Sequence, residues 1–148
     1  MIYFEDLEPG QEQEFGPLNV TAEAIVSFAE KYDPQPFHLS DEGARGTFFG
    51  SLAASGWHTA AMTRKLITAY AEEPLASLAP VGFDDLRWRQ PVYPGDELRA
   101  QTRVEAKEMP ANPAAAGVVR FAVTTRNQHD QVVMSMTSIV RVASRDST

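Results

Sequence analysis

Asp33 and His38 bracket Pro34-Gln35-Pro36-Phe37, which puts a carboxylate and an imidazole on one short loop. Proline fixes φ at two of the four intervening positions and removes conformations in which the two side chains would drift apart. A carboxylate that accepts or orients and an imidazole that titrates near neutral pH are the pair needed to activate a water molecule. The same residues serve structure equally well, Asp33 as a turn cap and His38 as the partner of a buried backbone group. Ser55-Gly56 supplies a second component. The first amides of a helix lack intrahelical acceptors and present the positive end of the peptide dipoles. A carbonyl oxygen set against the Gly56 N–H would therefore be stabilised as negative charge grew on it. Simple capping by Ser55, with Gly56 giving clearance between helices, is the alternative.

These residues need elements to hold them. Thr21 offers a hydroxyl cap to a helix over 22–29, whose Ile25, Phe28 and Ala29 recur at helical spacing. Pro34 and Pro36 then break regular structure, leaving 33–37 as a constrained loop. A short polar helix follows around 40–44. Residues 56–71 read as the main helix: alanine-rich, capped by Ser55, limited by Pro74, and apolar around most of its circumference, so substantially enclosed. Residues 1–18 read as an extended lead-in with turns at Pro9-Gly10 and Gly16-Pro17. From Val81 the periodicity changes, with an extended stretch to Val92 and a turn at Tyr93-Pro94-Gly95-Asp96. Leu98, Ala100, Thr102, Val104 and Ala106 alternate with polar residues, and two further strands run over 118–127 and 131–142 across a turn at Gln128-His129-Asp130. The stretch 110–117 reads as a long loop and 143–148 as a frayed, flexible tail. One enclosed helix followed by long antiparallel strands is an α+β pattern without the strand-helix repetition of a doubly wound sheet.

Composition narrows the partners. A chain of 148 residues fits one domain, 1–148, burying roughly 70% of its extended surface. Its 20 acidic and 13 basic side chains give a formal charge of −7, which argues against nucleic acid as the main partner. No apolar run reaches bilayer-spanning length and the opening residues lack a basic segment before an apolar core, so no membrane partner and a cytoplasmic location are expected. The absence of cysteine removes disulfides, thiol catalysis and cysteine-based metal sites, and His38, His58 and His129 lack zincin spacing. No metal and no cofactor are expected.

The stretch Tyr32-Asp33-Pro34-Gln35-Pro36-Phe37-His38, followed after a Phe/Gly-rich loop by Ala54-Ser55-Gly56-Trp57-His58-Thr59, resembles the hydratase signature of MaoC-like dehydratases, which include the R-specific enoyl-CoA hydratases. Pro91-Val92-Tyr93-Pro94-Gly95-Asp96 is similar to that family's strand-ending turn. The resemblance spans about residues 4–142. It implies a hotdog fold, an antiparallel sheet wrapped around a long central helix, assembled as a homodimer or a higher assembly of dimers. It implies Asp33, His38 and Gly56 as the catalytic carboxylate, histidine and oxyanion glycine, and reversible hydration of a trans-2-enoyl-CoA to an R-3-hydroxyacyl-CoA, with CoA as the substrate carrier. Gln35, Phe37, Ser55 and Trp57 are the expected substrate contacts. Three positions depart from the pattern: Gln35 stands where Asn is frequent, Ser55 where His often precedes the glycine, and Arg64 where some hydratases carry a hydroxyl. An acyl-CoA thioesterase on the same fold and a noncatalytic acyl-thioester binding protein are the competing functions.

Among the remaining candidates, His58 lies two positions after Gly56, a rotation of about 200° that takes it off that face, and structural hydrogen bonding is expected of it. Trp57 is expected in the core and His129 at the surface. Arg87, Arg89, Arg99, Arg103, Arg120 and Arg126 read as solvated strand faces from which some could reach CoA phosphates.

Overall fold

The computed structural model describes residues 1–109, 111–112 and 116–147. Its axis is the helix α3 (Gly56–Ala69). Ser55 starts it, the Oγ accepting from the Trp57 amide at 3.2 Å. Met62, Thr63 and Leu66 are buried, and a fully enclosed leucine contributes about 1.5–3 kcal/mol. Trp57, Ala61, Lys65 and Thr68 are exposed, so the helix is enclosed on one side rather than around most of its circumference.

Five strands curl past that buried side: β1 (Glu12–Asn19), β2 (Ser77–Trp88), β3 (Glu97–Glu108), β4 (Gly117–Arg126) and β5 (Val132–Val142). Their order is β1-β3-β4-β5-β2, every neighbouring pair antiparallel. The period-two alternation decides which face is inside: Leu98, Ala100, Thr102 and Val104 of β3 are buried, as are Val119, Phe121, Val123 and Thr125 of β4. A single antiparallel sheet wrapped around one long helix is the hotdog arrangement, and α+β is its class.

The core has two parts. Phe15, Ile25, Met62, Leu66, Leu98 and Met134 form one, built on the buried side of α3. Phe4, Leu7, Val104, Phe121, Val123 and Val140 form the other under the N-terminal segment. Ile67 and Met136 pack against both and join them.

The structure departs from the sequence expectations in three segments. The lead-in contains β1, whose Phe15 turns inward while Glu12, Gln13, Glu14, Pro17 and Asn19 stay exposed; one apolar residue in four carries too little alternation to read as a strand. β2 begins at Ser77 and ends at Trp88, so residues 89–92 lie beyond it. The chain after β5 is anchored rather than frayed: Ala143 exchanges backbone hydrogen bonds with Phe4 and Ala76, the Ser144 hydroxyl donates to Glu5, and Arg145 pairs with Asp6 at 2.6 Å. Thr148 and half of the loop expected at 110–117 (residues 110 and 113–115) lie outside the described residues. No helix among those described is long and apolar enough to cross a membrane.

Candidate active site

The loop that carries the carboxylate and the imidazole is fixed at both ends. Helix α1 (Ala22–Tyr32) begins at Thr21, whose Oγ1 accepts from the Ala24 amide, and buries Ile25 and Ala29. It stops at Asp33 because a residue preceding proline is driven out of the helical region; Asp33 adopts φ −157° and its amide closes the helix on the Ala29 carbonyl. Pro36 then opens a single 3₁₀ turn, Pro36–His38. The short helix α2 (Asp41–Ala44) follows, capped by Ser40. Beneath the loop runs the segment 52–55. The Ala53 amide donates to the Phe37 carbonyl at 3.1 Å, and the Ala54 amide to the Val92 carbonyl at 2.8 Å.

Three side chains meet there. Ser55, fully buried, donates its hydroxyl to Asp33 Oδ2 at 2.6 Å while capping α3, so one residue ties the carboxylate to the helix start. Gln35 donates to Asp33 Oδ1 at 2.8 Å. The Ser55 hydrogen bond foremost, then that of Gln35 and the nearby His38, hold the Asp33 carboxyl below the usual carboxylate range, against a partial desolvation that raises it. The anion is thus kept at a helix C-terminus, where the peptide dipole by itself disfavours it.

His38 is 3% exposed, and its Nδ1 lies 2.7 Å from the Ala53 carbonyl. A carbonyl only accepts, so Nδ1 bears the proton and the neutral ring presents a lone pair at Nε2. That nitrogen is 3.6 Å from Asp33 Oδ2, too long for a direct hydrogen bond and close enough for both atoms to receive the two hydrogens of one water. Phe37 meets the His38 ring edge-on at 4.5 Å and Phe49 lies at 5.6 Å, which fixes the imidazole's plane.

His38 opens on a cavity of about 220 Å³ whose wall also includes Phe49, Gly56, Thr59, Trp88 and Val92. The Gly56 amide has no acceptor among the described residues, as the helix-start argument requires. The glycine's lack of a side chain serves a different purpose from the one expected: a Cβ there would stand 2.5 Å from the Trp88 indole, whose Nε1 donates to the Gly56 carbonyl at 2.8 Å. Thr59 was missed by the sequence reading. It sits three residues after Gly56, hence on the same helix face, and that spacing was the available signal.

The other predicted residues fall in different places. Asp33, His38, Ser55 and Gly56 lie together, and of these His38 and Gly56 line the cavity while Ser55 and Asp33 are joined behind them. Gln35 and Phe37 support Asp33 and His38 from behind and do not line the cavity. Trp57 is 58% exposed rather than in the core, its ring edge-on to that of Trp88 at the end of β2 at 5.1 Å. His58 is buried, but without the hydrogen bond expected for it: Nδ1 has no partner and the ring stacks on Phe28 at 4.7 Å. His129 is exposed in the β4–β5 turn. Arg89 lines the cavity and donates to Ser135, whereas Arg99, Arg103, Arg120 and Arg126 pair with nearby acids on the surface.

Comparison with known proteins places this geometry. Residues 5–127 match the family described as MaoC like domain. The chain is 31% identical over 147 residues to a 3-hydroxybutyryl-CoA dehydratase of Methylorubrum extorquens, covering 99% of this chain and 87% of that one. It superposes with TM-score 0.91 on a MaoC-like dehydratase of Rhodospirillum rubrum, 41% identical, over 98% of this chain and 99% of the other. An R-hydratase of Pseudomonas aeruginosa is 25% identical, with TM-score 0.75 over 97% and 87%.

Proposed function

Because the chain belongs to the MaoC-like domain family, we propose that it catalyses the reversible hydration of a trans-2-enoyl-CoA to the R-3-hydroxyacyl-CoA. The observation that carries this reading is the pair of acceptors, Asp33 Oδ2 and His38 Nε2, 3.6 Å apart, with His38 and Gly56 on the wall of one cavity and the Gly56 amide without an acceptor among the described residues. Hydration of a conjugated thioester needs a water aimed at the β carbon and a donor at the carbonyl oxygen, and these groups supply both.

The residues divide the work as follows. The two hydrogens of the water point to Asp33 and His38, which leaves an oxygen lone pair directed at the β carbon. As the new C–O bond forms, the π electrons move toward the carbonyl oxygen, where the Gly56 N–H stabilises the enolate. The proton lost by the water passes to His38 Nε2, since Asp33, held below the ordinary carboxylate range, is the weaker base. Asp33 stabilises the imidazolium, which then returns its proton to the α carbon. Water oxygen and proton come from one side of the double bond, so addition is syn. The steps use side chains and one backbone amide, with CoA serving as carrier and no metal or cofactor invoked.

A homodimer completes the proposal. Among the described residues β2 is an edge strand paired to β5, and Leu78, Val81, Phe83 and Trp88 along it are exposed; Phe83 leaves 49% of its surface open. An exposed apolar edge of this kind is a pairing surface that a second copy would cover.

The test is an absorbance assay on enoyl-CoA substrates run beside a free-thiol assay. Hydration consumes the enoyl absorbance without releasing thiol, whereas CoA release would establish the thioesterase reading and binding without either would establish the noncatalytic one. Asp33→Asn should lower single-turnover hydration by about 10²–10⁴-fold while substrate binding is retained. Unchanged chemistry in that variant would remove Asp33 from the mechanism. Sedimentation should give a dimer, and Val81→Lys should weaken it.

A further inference from the structure

A second, larger cavity of about 470 Å³ lies between the later turns of α3 and the inner face of the sheet, with Arg64 and Ile67 on its helical wall. The smaller cavity at His38 touches the same helix at Gly56 and Thr59. Positions 56, 59, 63 and 67 recur at the three-to-four spacing of one helix face, so the two cavities lie along a single stripe of α3 with Thr63 between them.

The strands give the same division. Along β3 the larger cavity is lined by Val104 and Thr102, and the next residue on that face is Ala100. Along β4 it is lined by Phe121 and Val123, and the next is Thr125; along β5 by Ser138 and Met136, and the next is Met134. Ala100 pairs with Thr125, and Thr125 with Met134. Met134 in turn pairs with Trp88, a wall of the smaller cavity. Ala100, Thr125, Met134 and Thr63 are all fully buried. The Thr63 and Thr125 hydroxyls are 2.7 Å apart, and Thr63 Oγ1 also lies 2.9 Å from the Thr59 carbonyl, so helix and sheet are joined across this layer by satisfied polar groups.

We infer that the Thr63–Ala100–Thr125–Met134 layer is a partition that closes the acyl end of the catalytic cavity and sets a short-chain substrate limit. This rests on the acyl-thioester reading of the site. A space of about 220 Å³ falls below the roughly 300 Å³ lower end of pockets that hold drug-sized ligands. It must take the reacting carbons as well as the tail, which suits chains on the order of a butenoyl or hexenoyl group. A longer tail meets a packed layer, where overfilling forces side chains off their rotamers. Beyond the layer lies the larger cavity, whose wall next to the layer carries Ile67, Phe121, Val123 and Met136, and a tail that passed the layer would meet these side chains first.

The experiment is a substrate panel from crotonyl-CoA to trans-2-dodecenoyl-CoA, run on the wild type, on Thr63→Ala/Thr125→Ala and on Thr63→Val/Thr125→Val. Removing both hydroxyls together leaves neither one buried and unpaired. In the wild type kcat/KM should fall by about tenfold or more for each two-carbon extension past hexenoyl. The double alanine variant should extend the range to octenoyl and decenoyl chains, with crotonyl-CoA turnover within about threefold of wild type. The double valine variant, equal in bulk, should keep the short limit; Met134→Ala gives an independent opening should the double alanine variant fold poorly. Wild-type turnover of dodecenoyl-CoA equal to that of crotonyl-CoA, or opened variants with an unchanged range, would overturn the partition. Calorimetric binding of butyryl-CoA against decanoyl-CoA separates this from the hydratase reading. A short-chain preference in binding without hydration keeps the partition and rejects the chemistry, and no binding of either rejects both.

Discussion

His38 and His58 are both buried, 3% and 7% exposed, and the two imidazoles are held in opposite ways. One nitrogen of His38 is fixed on the Ala53 carbonyl, which aims the other at Asp33 and the cavity. His58 lies flat on Phe28 with its Nδ1 unpaired, and burial pushes its pKa down. The first ring is supplied with a proton path by its surroundings, while the second is packed as an aromatic disc that the site does not reach. What separates the histidine that faces the cavity from the one that only packs is therefore the backbone group opposite the far nitrogen, more than burial or nearness to Gly56.

The sharpest way to break this contrast is His38→Ala. Loss of the proton-transfer group should reduce hydration by about 10²–10⁴-fold with the fold intact, as read by steady-state kinetics and circular dichroism. A native-like variant at wild-type rate would leave the oriented imidazole without a role.

Ser55→Ala tests whether the loop's fixation matters. The carboxylate loses its foremost hydrogen bond and α3 its cap, which should lower stability by about 1 kcal/mol in denaturant titration and turnover by roughly tenfold. The sign of its pH effect follows from Asp33. A carboxyl with a depressed folded pKa contributes stability above its unfolded value of about 3.9, lost as pH falls through the folded value. Without Ser55 the folded value rises, so the acid limbs of both stability and rate should move to higher pH.

The smallest effect is expected for His58→Leu. A ring with a depressed folded pKa is neutral at pH 7 and becomes costly only as pH falls below its unfolded value of about 6.5, where the unfolded chain binds the extra proton. The variant should keep turnover within about threefold and lose less stability than wild type between about pH 6.5 and 5. A large loss of hydration would make His58 part of the chemistry after all.

Much of the site was legible before any coordinates. Two prolines constrain residues 33–38, and a serine before a glycine at a helix start is a local capping signal; both are consequences of short-range sterics and hydrogen bonding, which sequence encodes directly. The alternation of 98–106 and 118–142 likewise specifies which strand face turns inward. Trp57, His58 and Gly56 were read less well because each depends on a partner distant in the chain. Trp88 comes from another strand to occupy the space above Gly56 and to meet Trp57, and Phe28 comes from α1 to cover His58. β1 carried too few apolar residues to be seen until β3 paired with it, and the tail is anchored by Phe4, Glu5 and Asp6, more than 130 residues away, and by Ala76. Local pattern determined the elements and the loop that carries Asp33 and His38. Long-range packing decided which cavity they face, where that cavity ends and which of two buried histidines it contains, because those properties belong to contacts no single segment makes.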